Sequence, residues 1–283
     1  MAGTLYLCAT PIGNLEDITL RVLSTLKSVD LIAAEDTRNS IKLLNHFEIK
    51  TPMTSYHEFN KIEKGHQLIE KLLLGTNIAL ITDAGMPGIS DPGEELVKMA
   101  YEAMVPVTVL PGACACVTAL TLSGLPTRRF CFEAFLPTDK KERKQVLAEL
   151  LEETRTIVLY EAPHRLLKTL TELLTELSDR RITVCRELTK KHETAFQTTL
   201  SEAISYYTET EPKGECVLII EGRNVEARKK EEQEAFAALT VTEHMNRYLS
   251  EGMAKKEAMK AVAADRGLSK REIYAMLLEK EQE

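Results

Sequence analysis

The chain is predicted to be an α/β protein: two α/β domains followed by a small helical module. Three observations carry this reading. Short apolar runs alternate with amphipathic helical stretches from Leu5 to Glu221, the pattern of a mostly parallel sheet covered on both faces. Three of the early runs end in glycine- and proline-rich loops: Ala9-Thr-Pro-Ile-Gly-Asn14, Leu80-Ile-Thr-Asp-Ala-Gly-Met-Pro-Gly-Ile-Ser-Asp-Pro-Gly93 and Leu110-Pro-Gly-Ala-Cys-Ala115. After Gly222 the sequence becomes charged and then helical in pattern to its end.

In order, Leu5 to Ala9 reads as a strand and Glu16 to Val29 as an amphipathic helix. Leu31 to Ala34 is a strand and Ser40 to Phe47 a helix. Ile62 to Leu74 is a helix, Asn77 to Ile81 a strand, and Glu94 to Ala103 a helix. Val107 to Leu110 is a strand, and a helix starts near Cys114. The chain breaks at Ser123-Gly-Leu-Pro126 and the pattern restarts. Phe130 to Ala134, Thr156 to Tyr160, Ile182 to Arg186, Ala195 to Leu200 and Cys216 to Glu221 read as strands. Lys140 to Glu153 and Arg165 to Leu177 are helices between them. Strands adjacent in sequence predict a mixed second sheet. The expected domains are 1–122, 123–225, a charged linker helix at 226–236, and a helical module at 237–283. In that module Gly252 and Gly267 fall where helices stop. Ser269 and Glu272 form a capping box ahead of Ile273. The short helices resemble a helix-turn-helix, with a helical cap for dimerisation as the alternative.

Composition narrows the class. With 44% hydrophobic and 28% charged residues over 283 positions, the chain is an ordinary soluble globular type. No apolar run is long enough to span a membrane, and the start shows no signal-like segment. The six cysteines, Cys8, Cys114, Cys116, Cys131, Cys185 and Cys216, form no C-x-x-C pair and sit mostly in apolar runs. They read as small buried hydrophobes of a reducing, cytoplasmic compartment, without a disulfide frame or a zinc site. A net charge of −7 argues against unspecific attraction of the whole protein to nucleic acid, while leaving room for local basic contacts.

The chemistry-bearing residues gather at strand ends, where α/β sheets bind ligands. No Walker A or G-x-G-x-x-G sequence is present. Asp83 follows its strand directly and can reach a cleft, whereas Asp91 reads as the cap of the helix entered through Pro92. Ala33-Ala-Glu-Asp-Thr-Arg38 offers Glu35, Asp36 and Arg38, either as substrate-facing groups or as a surface pair with Asp36 or Thr37 capping a helix. Tyr56-His-Glu58 offers His57. The second domain adds Tyr160-Glu-Ala-Pro-His-Arg165, Arg186-Glu-Leu-Thr-Lys-Lys-His-Glu193 and Pro212-Lys-Gly-Glu215. No metal is expected, because no ligand-spaced cluster occurs.

Taken together in this order, these motifs resemble the tetrapyrrole methylase superfamily, the class III methyltransferases, and within it the branch that modifies small-subunit ribosomal RNA. The resemblance runs from residue 4 to about 222, and the C-terminal helices resemble the helix-turn-helix appended to many members. It implies S-adenosylmethionine held between two α/β domains, a homodimer, and 16S ribosomal RNA or the small ribosomal subunit as partner. The implied acceptor is the ribose 2′-hydroxyl of a decoding-centre cytidine. Cofactor positions carried over are Pro11 and Gly13; Asp83, Ala84, Gly85, Met86 and Ile89; Ala113 and Cys114; Tyr160, Glu161 and Ala162; Leu188; and Lys213, Gly214 and Glu215. Cys114 stands where the family has serine. A base for the hydroxyl is sought among Glu35, Asp36, His57, Glu161, Glu187, Lys190 and Glu193, and RNA contacts among Arg38, His57, Arg165 and Arg186, with Lys190 a further phosphate contact. A tetrapyrrole carbon methyltransferase of the same fold and a nonenzymatic nucleic-acid binder are the alternatives.

Overall fold

The computed structural model describes residues 1–237 and 239–280; position 238 and positions 281–283 of the expected helical module lie outside the described residues. Two compact units are present: residues 1–151 with 155–221, and residues 152–154 with 222–283.

The first unit holds two five-stranded sheets. In the first, β1 (Leu5–Cys8), β2 (Leu31–Ala34), β3 (Met53–Ser55), β4 (Ile78–Ile81) and β5 (Val107–Leu110) run parallel in the order β3-β2-β4-β1-β5. Alternate residues feed opposite faces, as strand geometry requires. Leu5, Leu7, Ile78 and Leu80 pack with Leu68 and Leu72 of α3 (Lys61–Leu73) and Leu96 of α4 (Glu94–Glu102). Cys8, Ile32, Ala79 and Ile81 pack with Val22 and Leu26 of α1 (Leu20–Ser28) and Leu44 of α2 (Thr37–His46). The single helix expected over Glu16–Val29 is divided. A 3-10 turn at Leu15–Asp17 precedes α1, because the Thr19 hydroxyl caps α1 by accepting from Val22 N at 3.1 Å. Strand β3 escaped the sequence reading: its three residues are all half-buried and show no alternation.

The second sheet orders β6 (Phe130–Phe135), β7 (Thr156–Glu161), β10 (Cys216–Ile220), β8 (Arg181–Arg186) and β9 (Thr194–Thr199) as β6-β7-β10-β8-β9. Only β6 and β7 are parallel, so the sheet is mixed. Ile157, Leu159, Val184 and Leu218 face Leu166, Leu170 and Leu173 of α7 (Pro163–Leu177) and Leu200 and Ala203 of α8 (Leu200–Glu209). Helix α8 was also not anticipated; the Thr199 hydroxyl caps it. The opposite face is covered by α5 (Ala115–Leu122), whose Ala119 and Leu120 bury against Val158, Cys185 and Ile219. The helix that the expected boundary at residue 122 assigned to the first domain therefore packs on the second sheet. The crossover from β6 to β7 is α6 (Lys140–Glu152), anchored by buried Arg143.

The second unit contains α9 (Val225–Ala237), α10 (Val241–Ser250), α11 (Lys255–Asp265) and α12 (Lys270–Lys280). Its own core consists of Met245, Ala258, Met259, Val262, Ala263 and Ile273. Thr240 and Glu243 form a capping box on α10, and Ser269 and Glu272 exchange the reciprocal bonds of another at α12. Gly252 and Gly267 take positive φ of 88° and 63° just after α10 and α11, a conformation glycine adopts without penalty. No described helix is long and apolar enough to cross a membrane.

Candidate active site

The loops at the carboxyl ends of β1, β4 and β5 interlock. Thr10 and Gly85 exchange backbone hydrogen bonds of 2.9 and 3.1 Å, and the Thr10 hydroxyl donates to Thr82 O at 3.1 Å. Gly85 sits at φ 82°, and a Cβ on Gly112 would lie 2.6 Å from Ala9 Cβ. Gly85 thus supplies a conformation other residues rarely adopt, and Gly112 lets its loop approach where a side chain would collide.

Beyond these loops a cavity opens between the two sheets. Its apolar walls include Ile12, Met86, Ile89, Phe135, Leu188 and Val217, and its polar lining includes Glu35, Asp83, Asp91, Glu187, Lys190 and Glu215. Phe135 follows a register irregularity in β6, with Ala134 at φ 50°, and packs edge-on to Tyr160 at 5.7 Å between ring centres. The Tyr160 hydroxyl accepts from the backbone N–H of Cys116 at 3.1 Å, tying β7 to the start of α5.

The carboxylates set the cavity's electrostatics. Burial raises the Glu35 pKa above the usual carboxylate value, opposed by the Asp83 N–H that its carboxylate accepts at 3.3 Å. Burial, reinforced by Glu35, Asp83 and Glu215, brings Asp91 up to about 6. Asp83 is held by the Asn39 side-chain amide, which donates to it at 2.8 Å. Lys190 Nζ lies 2.9 Å from Glu187 Oε1 and 4.0 Å from Glu215. Two partly buried acids, Glu35 and Asp91, and two exposed ones, Asp83 and Glu215, beside apolar walls suit an amphiphilic organic cation, because a partly desolvated carboxylate interacts more strongly with opposite charge than one in water.

The structure sorts the residues proposed from sequence. Asp83, Ala84, Gly85, Met86, Ile89, Cys114, Tyr160, Glu161, Leu188 and Glu215 line this cavity, together with Glu35, Glu187 and Lys190. Pro11 and Gly13 line an adjoining groove with Asn39, Ser40, Lys42 and His46. Gly13 faces the second sheet's loop, where an added Cβ would come within 2.5 Å of Lys190 Cγ. Ala113, Ala162, Lys213 and Gly214 support the lining from outside it. Ala162 N donates to Glu161, Lys213 O accepts from Arg186, and a Cβ on Gly214 would strike the Glu187 carboxylate at 2.0 Å.

Several proposed roles change. Asp36 caps α2 by accepting from Arg38 N, and its carboxylate grips the Arg38 guanidinium at 2.7 Å, so it lies outside the cavity lining. Glu161 is 1% exposed and committed to Ala162 N, the Thr169 hydroxyl and Arg165. Arg165 pairs with Glu161 and donates to Leu136 O, its side chain remaining 27% exposed. Arg186 clamps the Lys213 carbonyl through two bonds. His57 lies off the cavity lining, with Nε2 3.2 Å from the Asn60 amide. Glu193 accepts from Thr189 N at 2.6 Å, shaping a loop in which Glu187 and Thr189 both hold positive φ. Asp91 is the residue sequence reasoning misplaced. The cap of α4 is Gly93, without a side-chain bond, so Asp91 is free of that duty and faces the cavity. Ile12, Phe135 and Val217 were also missed; their apolar character marks core and cavity wall alike.

Among the described residues, no group of three or more His, Cys, Asp or Glu is arranged to hold a metal ion. Residues 4–204 match the family described as Tetrapyrrole (Corrin/Porphyrin) Methylases. A protein of Halalkalibacterium halodurans named ribosomal RNA small subunit methyltransferase I is 51% identical over 273 residues, covering 96% of this chain and 93% of that one. Its namesake in Synechocystis is 49% identical over 280 residues, covering 99% of both. Among solved structures, a uroporphyrin-III-C-methyltransferase from Thermus thermophilus aligns with a TM-score of 0.56 at 20% identity, covering 77% of this chain and 94% of that one. At that identity the likeness speaks for the fold alone.

Proposed function

The chain belongs to the tetrapyrrole methylase family, and from that premise we propose that it transfers a methyl group from S-adenosylmethionine to the ribose 2′-hydroxyl of a cytidine in the decoding centre of 16S ribosomal RNA. The methyltransferase class and the ribosomal RNA substrate rest on near-full-length relatives bearing that name. The acid-lined, apolar-walled cavity at the interlocked strand ends carries the reading to the site.

The residues present fit the donor. When bound, S-adenosylmethionine supplies an electrophilic methyl on a sulfonium. Ile12, Met86, Ile89, Phe135 and Leu188 would enclose its apolar parts, and Glu35, Asp83 and Glu215 would face its positive charge. The chain's remaining tasks are to exclude water, to align the acceptor, and to take the hydroxyl proton. Asp91 is the candidate acceptor for that proton: it lines the cavity and, near 6, is ionised at neutral pH yet more basic than an ordinary carboxylate. Lys190, paired with Glu187, would steady the acceptor's phosphate.

The deciding experiment incubates the protein with methyl-labelled S-adenosylmethionine and either small ribosomal subunits or uroporphyrinogen. Label on O2′ of a decoding-centre cytidine is expected. Label on uroporphyrinogen, or on a base carbon or nitrogen, would overturn the assignment.

Two further parts of this reading concern the RNA. Arg38 is exposed and lies outside the cavity lining. Arg38→Ala is therefore expected to leave melting temperature and donor affinity unchanged while lowering subunit methylation, read by filter-binding of labelled subunits. In the helical unit, exposed Lys255, Lys256, Lys260, Lys270 and Arg271 are placed to meet phosphates. Changing Lys255, Lys256 and Lys260 to alanine should flatten the dependence of log affinity on log salt by about 0.7–0.9 for each phosphate no longer neutralised. An unchanged slope would favour a protein-docking role for the helices. A homodimer is part of the same proposal, and sedimentation as a monomer at micromolar concentration would remove it.

A further inference from the structure

Cys114 lines the cavity and Cys116 is buried two residues further on, and neither is assigned a part in taking the hydroxyl proton. Cys114 occupies the cap position of α5; Cys116, inside the helix, is 6% exposed. Their Sγ atoms are 3.6 Å apart, and none of the chain's six cysteines is in a disulfide. The two thiols are not equivalent. The Cys116 thiol hydrogen-bonded to Cys114, helped by the N–H groups of Val117 and Cys116 at the helix start, lowers the pKa of Cys114. The same contact, with burial, raises Cys116. Cys8, Cys185 and Cys216 are instead pushed up to about 12 by burial. One thiol thus ionises first at the cavity wall, with the second sulfur 3.6 Å from it.

We propose that Cys114 is a peroxide-reactive modification site that closes onto Cys116 as an intrachain disulfide, disabling the cavity for its methyl donor. The part about the donor rests on the function proposed above. The thiolate of Cys114 attacks one oxygen of hydrogen peroxide; an S–O bond forms, the O–O bond breaks, and hydroxide leaves to be protonated to water. Cys116 sulfur then attacks that sulfenic sulfur. The S–S bond forms, the S–O bond breaks, and the departing hydroxide takes the Cys116 proton as a second water. Two thiols are oxidised by two electrons and one peroxide is reduced. Closure reshapes the first turn of α5, the turn whose Cys116 N–H is held by Tyr160 from the facing sheet. Both sides of the cavity feel the change, since Cys114 and Tyr160 each line it.

The test treats the full chain with stoichiometric hydrogen peroxide and follows two readouts. Peptide mapping by mass spectrometry should find Cys114 joined to Cys116, with dithiothreitol restoring both thiols. Titration with S-adenosylmethionine should show at least about a tenfold weaker affinity for the oxidised chain than for the reduced one, reversed by dithiothreitol. Cys116→Ser should stop at a Cys114 sulfenic acid that dimedone traps. Its absence, or oxidation falling first on other cysteines, would overturn the site. A disulfide with unchanged affinity would overturn the disabling effect. If the reduced chain bound no S-adenosylmethionine, the function proposed above would fall, and peptide mapping would still decide the disulfide.

Discussion

Glu161→Ala is expected to lower the unfolding free energy by about 2–4 kcal/mol, because it removes a buried carboxylate from two hydrogen-bond donors and from a partly exposed arginine. The Glu161 carboxylate, 1% exposed, accepts from Ala162 N at 2.8 Å and from the Thr169 hydroxyl at 2.5 Å, and it lies 3.3 Å from Arg165 Nε. Thr169 in turn accepts from Arg143, whose Nε pairs with Glu172 at 2.6 Å. The network therefore ties α6, α7 and the end of β7 together through one charge. Removing it leaves buried donors with nothing to meet, and each unmet group costs about 1–3 kcal/mol. Chemical denaturation at neutral pH reads the change. A loss below about 1 kcal/mol would show that Glu161 is not structural and would return it to the candidates for the base.

Asp91→Asn is expected to reduce kcat by about 10²–10⁴-fold, the range for a missing general base, with little change in donor affinity. In the unaltered enzyme the rate should fall as pH drops through about 6, where the Asp91 carboxylate takes up its proton. The variant should lack that limb. The stability effect has the opposite sign. Because the folded pKa lies above the unfolded one, the native state binds this proton more tightly. Asp91 therefore adds stability at low pH that is lost as pH rises through about 6. Melting temperatures of the unliganded pair should thus differ in their pH dependence between about 4 and 6. Identical rate profiles would exclude Asp91 as the base.

Nine of the ten described strands were legible because burial on two faces writes itself as apolar runs, whereas β3, half-buried throughout, was not. The strand ends were legible because glycine and proline mark sharp turns. What sequence could not decide was the duty of each polar side chain there. Asp36 and Asp91 both sit ahead of a helix, and capping chemistry fits either. The backbone chose Asp36 for α2 and left Gly93 to cap α4. Arg165 and Arg186 read as RNA contacts because an arginine after a strand can point either way. Their partners, Glu161 and the Lys213 carbonyl, are set by how the turns fold back, which no local pattern encodes. Phe135 reached the cavity through a register slip in β6, which strand periodicity cannot foresee.

The order β3-β2-β4-β1-β5 has a consequence for how the protein is made. β1 lies inside its sheet, between partners that are synthesised much later: Thr4 is joined to Asn77, 73 positions on, and Leu5 pairs with Val107. Until those partners leave the ribosome, β1 has no neighbour to zip against, and its apolar residues Leu5 and Leu7 must wait in the open. Long-range pairing of this kind is slow and exposes sticky surface in the interval. The nascent chain should therefore depend on holdase chaperones until β5, which ends at Leu110, has emerged. Weakening β1 would open the sheet from within, where fraying cannot be confined to an edge.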